Sequence, residues 1–196
     1  EAIKIFSMEG KVVIITGGAG FLGMQYAEIL SQAGATIVIF DNVSGARLEE
    51  CRKAIHRLSG RDSLAIQVDI TNAGQVKDAV IWVYKKLGRI DVLINNAAMN
   101  PAVGSNEAKE MFVPYEDYPP ELWDKEIAVD LTGAHNCIRA VAPYMMEQRD
   151  GVIVNISSAV AARAVDHRIY DEGKFKSVAY IVTKTGILGL TSAWAS

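Results

Sequence analysis

Tyr180 and Lys184 stand four residues apart in a stretch that reads as a helix from Val178 onward, so they share one face. A free phenol has a pKa near 10, too high for a base at neutral pH. A neighbouring ammonium favours the phenolate and is expected to lower that value. A phenol tuned toward operating pH is a good acid/base for an alcohol–ketone couple. Ser157 and Ser158 follow an apolar run, and the Ser158 hydroxyl is placed to hydrogen-bond a substrate oxygen.

Spacing alone does not choose the pair, because Tyr170 and Lys174 repeat it. Gly173 lies between those two, and Asp171 and Glu172 make the stretch polar and poor as a core-facing helix. Lys184 is followed instead by Thr185-Gly186-Ile187-Leu188-Gly189-Leu190, an apolar run with small residues suited to close packing.

Nucleotide chemistry is signalled at the other end of the chain by Thr16-Gly17-Gly18-Ala19-Gly20-Phe21-Leu22-Gly23. An apolar run, Val12 to Ile15, leads in, and a helical pattern with Leu22, Tyr26, Ile29, Leu30 and Ala33 on one stripe leads out. Gly17 permits a tight turn, Gly20 a close approach to a pyrophosphate, and Gly23 close packing of helix on sheet. The helix N-terminus offers free N–H groups and the positive end of its dipole to phosphates. Asp41 ends the second apolar strand, where a carboxylate can accept both ribose hydroxyls and would repel a 2′-phosphate, so NAD is expected rather than NADP. Asp69 can reach an adenine edge or cap the next helix. Asn95-Asn96-Ala97-Ala98 combines loop-holding amides with small residues that let a flat ring pass.

These residues fall at the ends of alternating elements. Strands are expected over 11–16, 36–41, 64–69, 90–94 and 152–156. Helices are expected over 21–33, from the Ser44 N-cap to about Leu58 with Gly60 behind it, and from Asn72 to Gly88 with Val76, Ala79, Val80, Val83 and Leu87 on its stripe. A long polar loop holds Pro101, Pro114, Pro119 and Pro120. A long helix then spans roughly Glu121 to Gln148, with Trp123, Ile127, Leu131, Ile138 and Val141 near one face and Pro143 expected to kink or break it. The alternation implies parallel pairing in a doubly wound, three-layer α/β sheet, and nearly continuous apolar strands fit a sheet covered on both faces.

The 196 residues, 50% hydrophobic, suffice for one domain with a sizeable core but not for two comfortable ones. A net charge of −3 argues against nucleic acid or a membrane surface as partner. No membrane-span-length apolar run or signal peptide is read. The two cysteines, Cys51 and Cys137, lie in expected helices without metal or redox spacing, so reduced cytoplasmic thiols are expected. The three histidines are scattered, and no metal site is expected. Glu1 rather than Met opens the chain, which suggests a processed, engineered or partial start, with Met8 a natural one.

Taken in order, Thr16–Gly23, Asp41, Asp69, Asn95–Ala98, Asn155-Ile156-Ser157-Ser158 and Tyr180-Ile181-Val182-Thr183-Lys184 make the chain resemble the short-chain dehydrogenase/reductases over essentially its whole length. The resemblance implies a single NAD(P)-binding Rossmann domain over 1–196. It implies Ser158 as substrate-oxygen anchor, Tyr180 as general acid/base, and Lys184 as the group that holds the nicotinamide ribose and tunes Tyr180. The expected cofactor residues are Gly17, Gly20, Phe21, Leu22, Gly23, Asp41, Asp69, Ile70, Asn96, Ala97 and Ala98, with Tyr180 and Lys184. A homodimer or homotetramer built from the long helix and the Tyr180 helix, with Trp123 and Trp194 adding apolar surface, is implied as well.

Four departures qualify the match. The glycine spacing is that of the family's extended subgroup, which includes sugar-nucleotide epimerases. Asp130 in Val129-Asp130-Leu131 stands where the family has an asparagine that relays a water to the lysine, so Asp130 joins the expected catalytic set. The span from Ser158 to Tyr180 is longer than usual, with Asp166-His167-Arg168-Ile169-Tyr170 where substrate would enter. The chain stops at Ser196, before the further strand, substrate-loop helix and final strand that members normally add. The insertion resembles that of short-chain dehydrogenases associated with bacterial nonulosonic-acid sugars, and Arg168 or His167 could meet a carboxylate or phosphate. An NAD-dependent alcohol–ketone oxidoreductase is therefore expected. The alternatives are an epimerase or dehydratase that holds NAD tightly and a non-catalytic NAD-binding sensor.

Overall fold

A computed structural model describes residues 5–101 and 105–196. The expectations about Glu1 and part of the proline-bearing loop lie outside the described residues. By its contacts the chain divides into two compact units, residues 1–97 with 136–154, and residues 98–135 with 155–196.

The first unit is built on a five-stranded sheet in the order β3-β2-β1-β4-β5. Its strands are β1 (Val12–Thr16), β2 (Thr36–Asp41), β3 (Leu64–Gln67), β4 (Val92–Asn95) and β5 (Val152–Asn155). β1 pairs in parallel with both β2 and β4, and β2 with β3. Helices α1 (Phe21–Gln32), α2 (Gly45–Ser59) and α3 (Ala73–Leu87) connect the strands in the expected alternation. Apolar β-branched runs explain the centre. Val13, Ile14, Ile15, Ile37, Val38 and Ile39 are all fully buried, as a central parallel sheet requires. β5 departs from the expected burial on both faces, since Val152 and Val154 are exposed. They point to one side of a strand at the end of the sheet order.

The cap at Ser44 and the closures at Gly60 and Gly88 are the expected ones, whereas α3 is capped by Asn72 and not by Asp69. The Ser44 hydroxyl accepts from the Arg47 N–H, the Asn72 side chain accepts from the N–H groups of Gly74 and Gln75, and Gly60 and Gly88 close their helices in the left-handed conformation. The α3 stripe of Val76, Ala79, Val80 and Val83 is buried as its spacing predicts. The α1 stripe is not the expected one. Gly23, Ala27 and Ser31 are buried, whereas Leu22 and Ile29 are exposed. Close approach of the helix favours the small side chains at i, i+4 and i+8 and turns the large ones out. Cys51 and Cys137 are free and almost completely buried.

The second unit contains α4 (Asn106–Met111) and a 3₁₀ turn (Tyr115–Asp117), so the expected loop is partly helical. Next come α5 (Pro120–Glu126), a π-helical turn (Ile127–Thr132), and the start of α6 (Gly133–Gln148). α7 (Val178–Trp194) carries the Tyr180 pair. The long helix therefore does not break at Pro143, which α6 passes through. Ile138, Val141 and Met145 are buried on either side of Pro143 and hold both halves of α6 in place. The departure sits at the π turn instead. Its extra residue per turn rotates the apolar stripe, so Trp123 is left 36% exposed while Ile138 and Val141 are fully buried.

Candidate active site

The glycine turn after β1 is shaped by steric need. Gly17 has φ of +61°, and a Cβ there would lie 2.8 Å from the Ala97 Cα. A Cβ on Gly23 would lie 2.3 Å from the Gly17 carbonyl oxygen, so only glycine lets α1 start here. Gly20 is the α1 N-cap, with no side-chain cap and no acidic residue in the first turn. The first N–H groups of α1 and the positive end of its dipole are thus left for an anion, which fits a dinucleotide pyrophosphate. Phe21 and Leu22 point outward, 82% and 49% exposed.

Asp41 sits at the end of β2 with its carboxylate toward the glycine turn. One oxygen accepts from the Ala19 N–H at 3.0 Å and the other from the Val43 N–H at 3.3 Å. Arg47 reaches the Ala19 carbonyl at 3.4 Å, so a cation shares this corner, a neighbour the spacing of β2 and α2 did not announce. Asp69 accepts from the Thr71 N–H and hydroxyl at 2.9 and 2.7 Å. It closes a turn, while Asn72 is the cap of α3. Ile70 is buried, and its carbonyl accepts from Asn136 at 3.0 Å. Asn96 clamps the strand ends: its amide donates to the carbonyls of Thr16 and Gly17 at 2.9 and 3.1 Å. The Thr16 hydroxyl accepts from the N–H groups of Asn96 and Ala97, each at 3.1 Å. Ala97 and Ala98 are half-buried.

In the second unit, α7 is locked to the segment after β5 by reciprocal bonds. The Lys184 ammonium donates to the Ile156 carbonyl at 2.8 Å, and the Ser157 hydroxyl donates to the Lys184 carbonyl at 2.7 Å. Ser158 opens a 3₁₀ turn (Ala159–Ala161); its hydroxyl accepts from the Val160 N–H at 3.4 Å and lies near enough to the Tyr180 phenol to favour the phenolate. Lys184, 3% exposed, lies 5.5 Å from the Tyr180 ring centroid. Gly186 packs against Leu131 of the π turn, as the small residues after Lys184 predict.

The expected depression of the Tyr180 pKa is not found. Burial raises it; the Ser158 hydroxyl pulls it down, and Asp130, Glu126 and Tyr170 push it further up. Lys184 has its own pKa lowered by burial, with Asp130 acting against that shift. Its ammonium is committed to the Ile156 carbonyl, and the buried acids Asp130 and Glu126 disfavour the phenolate.

Asp130 is 2% exposed in the π turn. Its carboxylate accepts from the Met99 N–H at 2.7 Å and from the Thr183 hydroxyl at 3.4 Å. Burial pushes its pKa up to about 6, with Met99, Lys184 and Thr183 pulling it down and Glu126 pushing it up.

In the insertion the Arg168 side chain is 91% exposed. Arg168 pairs with Asp166 at 2.7 Å, while Nε2 of His167 meets the Tyr115 hydroxyl at 3.0 Å among the rings of Tyr170 and Phe175. Tyr170 and Lys174 lie outside any helix, with Gly173 in the left-handed conformation, so they do not share a helical face. Two further residues escaped the sequence reading. Glu126, fully buried, accepts from the hydroxyls of Tyr118 and Ser177, and Ser177 is the N-cap of α7. Lys176 places its ammonium 3.9 Å from the Tyr180 ring centroid. It precedes the Ser177 N-cap, outside α7, so its four-residue spacing from Tyr180 carries no helical signal.

The model of the family described as short chain dehydrogenase matches residues 11–196. This chain belongs to the short chain dehydrogenase family. Among curated members it is 36% identical over 188 residues to a 3-oxoacyl-[acyl-carrier-protein] reductase of Thermotoga maritima, covering 96% of this chain and 68% of that one. It is 33% identical to a D-beta-hydroxybutyrate dehydrogenase of Rhizobium meliloti, covering 94% and 64%. The crystal structure of an NAD+-bound xylitol dehydrogenase superposes with a TM-score of 0.81 at 28% identity, covering 94% of this chain and 64% of that one. The chain spans about two thirds of the length of the curated relatives it matches. Short chain dehydrogenases are oxidoreductases that act on CH–OH groups, and the five-stranded parallel sheet is the Rossmann-type sheet of the family.

Proposed function

We propose that this protein interconverts an alcohol and a ketone on a small polar substrate, with NAD as its hydride carrier. The observation that carries the reading is the grouping of Ser158, Tyr180 and Lys184, with the ammonium fixed on the Ile156 carbonyl. Ser158 orients the substrate oxygen. Tyr180 takes the hydroxyl proton in oxidation and returns it in reduction. Lys184 adds positive charge beside the phenol and contacts the nicotinamide ribose. The nicotinamide, when bound, supplies or accepts the hydride. The open N-terminus of α1 holds the pyrophosphate, and Asp41 accepts from the adenosine ribose while repelling a 2′-phosphate.

The similarity to an NAD+-bound xylitol dehydrogenase supports both NAD and a polar substrate. An NAD preference leans toward oxidation, because cellular NAD is mostly in its oxidised form. Two free buried thiols suit the cytoplasm. Trp123 and Trp194, 36% and 40% exposed, offer apolar surface for a homodimer or homotetramer. The second reading, an epimerase or dehydratase with tightly held NAD, is favoured by the Gly17–Gly20–Gly23 spacing and would show as co-purified cofactor without net turnover.

The deciding experiment is a fluorescence titration with NADH and NADPH on the protein and on Asp41→Ala, followed by a screen of polyols and sugar-derived alcohols. Clear NADH preference that relaxes in the variant supports the reading. NADPH preference removes Asp41 from its assigned role. Turnover retained in Tyr180→Phe removes the acid/base assignment.

A further inference from the structure

Burial sets a problem for a phenol that must ionise. Tyr180 is held among protein groups that mostly oppose its charge. Asp130 from the π turn, Glu126 from α5 and Tyr170 from the insertion all disfavour the phenolate, and the Ser158 hydroxyl favours it. Lys184, on the same helix, is 5.5 Å from the ring centroid. A nearer cation is present. The Lys176 ammonium stands 3.9 Å from that centroid and 5.1 Å from the Phe112 centroid. It donates to the Asn100 side-chain oxygen at 2.7 Å, and the residue is 9% exposed.

Such an ammonium is not a stray surface charge. Two ring faces and an amide fix its position, and a cation over an aromatic face is attracted to it. Ionisation of the phenol spreads negative charge into the ring, so the attraction grows when the proton leaves. Glu126 and Asp130 help keep Lys176 charged against the cost of its burial. Glu126 is itself anchored by Tyr118 and Ser177, and the Ser177 hydroxyl accepts from the Tyr180 N–H at 3.1 Å. The ammonium and the first turn of α7 are therefore tied to one buried carboxylate.

We infer that Lys176 is a second ammonium for Tyr180, a positioning residue that holds the phenol ring and favours its ionised form. The inference rests on the reading of Tyr180 as acid/base. Lys176 and Lys184 then both stand close to the phenol ring, at 3.9 and 5.5 Å from its centroid.

The test is an ultraviolet titration of tyrosinate in the intact protein, with the curve of Tyr180→Phe subtracted to isolate this phenol. Lys176→Met is expected to raise the apparent pKa of Tyr180 by about one unit and to move the ascending limb of the kcat/KM profile for alcohol oxidation to higher pH with it. Lys176→Arg, which keeps the charge, is expected to restore most of the shift, which a purely structural role would not predict. Asn100→Ala leaves the ammonium but releases it, so a smaller shift in the same direction is expected, and this variant serves if Lys176→Met does not fold. An unchanged Tyr180 titration in Lys176→Met or Asn100→Ala, or no recovery in Lys176→Arg, overturns the inference. Full turnover in Tyr180→Phe would instead remove the acid/base reading, and the tyrosinate titration would still decide whether Lys176 acts on the phenol.

Discussion

The Asp130 carboxylate, enclosed in the π turn, accepts a hydrogen bond from the backbone N–H of Met99 at 2.7 Å. The bond ties the residue just beyond the Asn95–Ala98 stretch to the π turn. One end of the carboxylate is thereby committed to the backbone and the other to Thr183. Asp130 thus acts here as a buried acceptor.

The burial of Asp130 makes stability depend on pH in a stated direction. Its folded pKa of about 6 lies above the ordinary aspartate value, so the folded state holds the proton more tightly than the unfolded chain. The contribution is fully present below about pH 4 and is lost as pH rises through about 6, a swing of roughly 3 kcal/mol. Asp130→Asn keeps an acceptor for Met99 and removes the charge. Thermal melts from pH 4 to 7 should show a smaller loss of stability in the variant than in the wild type, and parallel curves would refute the assignment.

Tyr180→Phe removes the phenolic proton and leaves the ring in place over α7. Turnover should fall by about 10²–10⁴, the range of a lost acid/base, while the melting temperature stays close to that of the wild type. A single-wavelength NADH assay and a circular dichroism melt give both numbers.

Asp41→Ala removes the acceptor of the Ala19 and Val43 N–H groups and, on the proposed function, the acceptor for the adenosine ribose. NADH affinity should drop about tenfold, NADPH affinity should change less, and stability should fall by about 1 kcal/mol. Fluorescence titration with the two dinucleotides separates the ribose effect from the loss of the turn.

Two glycines in helices should respond oppositely to alanine. Gly23→Ala would drive a Cβ to 2.3 Å from the Gly17 oxygen and 2.6 Å from the Gly18 Cα, so a loss of at least about 2 kcal/mol is expected. Gly189, exposed and inside α7, has nothing within 4 Å of such a Cβ, so Gly189→Ala should stabilise by about 0.5–1 kcal/mol. Urea unfolding of both variants tests the contrast.

What the sequence revealed follows from period and punctuation. The strand runs, the cap at Ser44, and the closures at Gly60 and Gly88 are local features, and each was legible; the third helix is capped by Asn72 rather than by the candidate Asp69. The choice of Tyr180 over Tyr170 was also legible, because Gly173 and its acidic neighbours deny the second pair a helix. The α1 stripe was misread because large apolar residues dominate a helical pattern, whereas close packing selected Gly23, Ala27 and Ser31. The π turn has no period of its own and shows only as a rotation between Trp123 and Ile138. Glu126 and Lys176 were missed for a related reason. An acidic or basic residue reads as surface, and only the fold reveals that Tyr118, Ser177 and Asn100 compensate it.

The two cysteines carry a practical consequence. Cys51 and Cys137 are 2% and 1% exposed, and burial holds the Cys137 thiol up at about 12. Neither offers a thiolate to solvent while the sheet unit is closed. A thiol reagent added to the folded protein can therefore react only through transient opening, and its labelling rate becomes an internal clock for how often that core breathes.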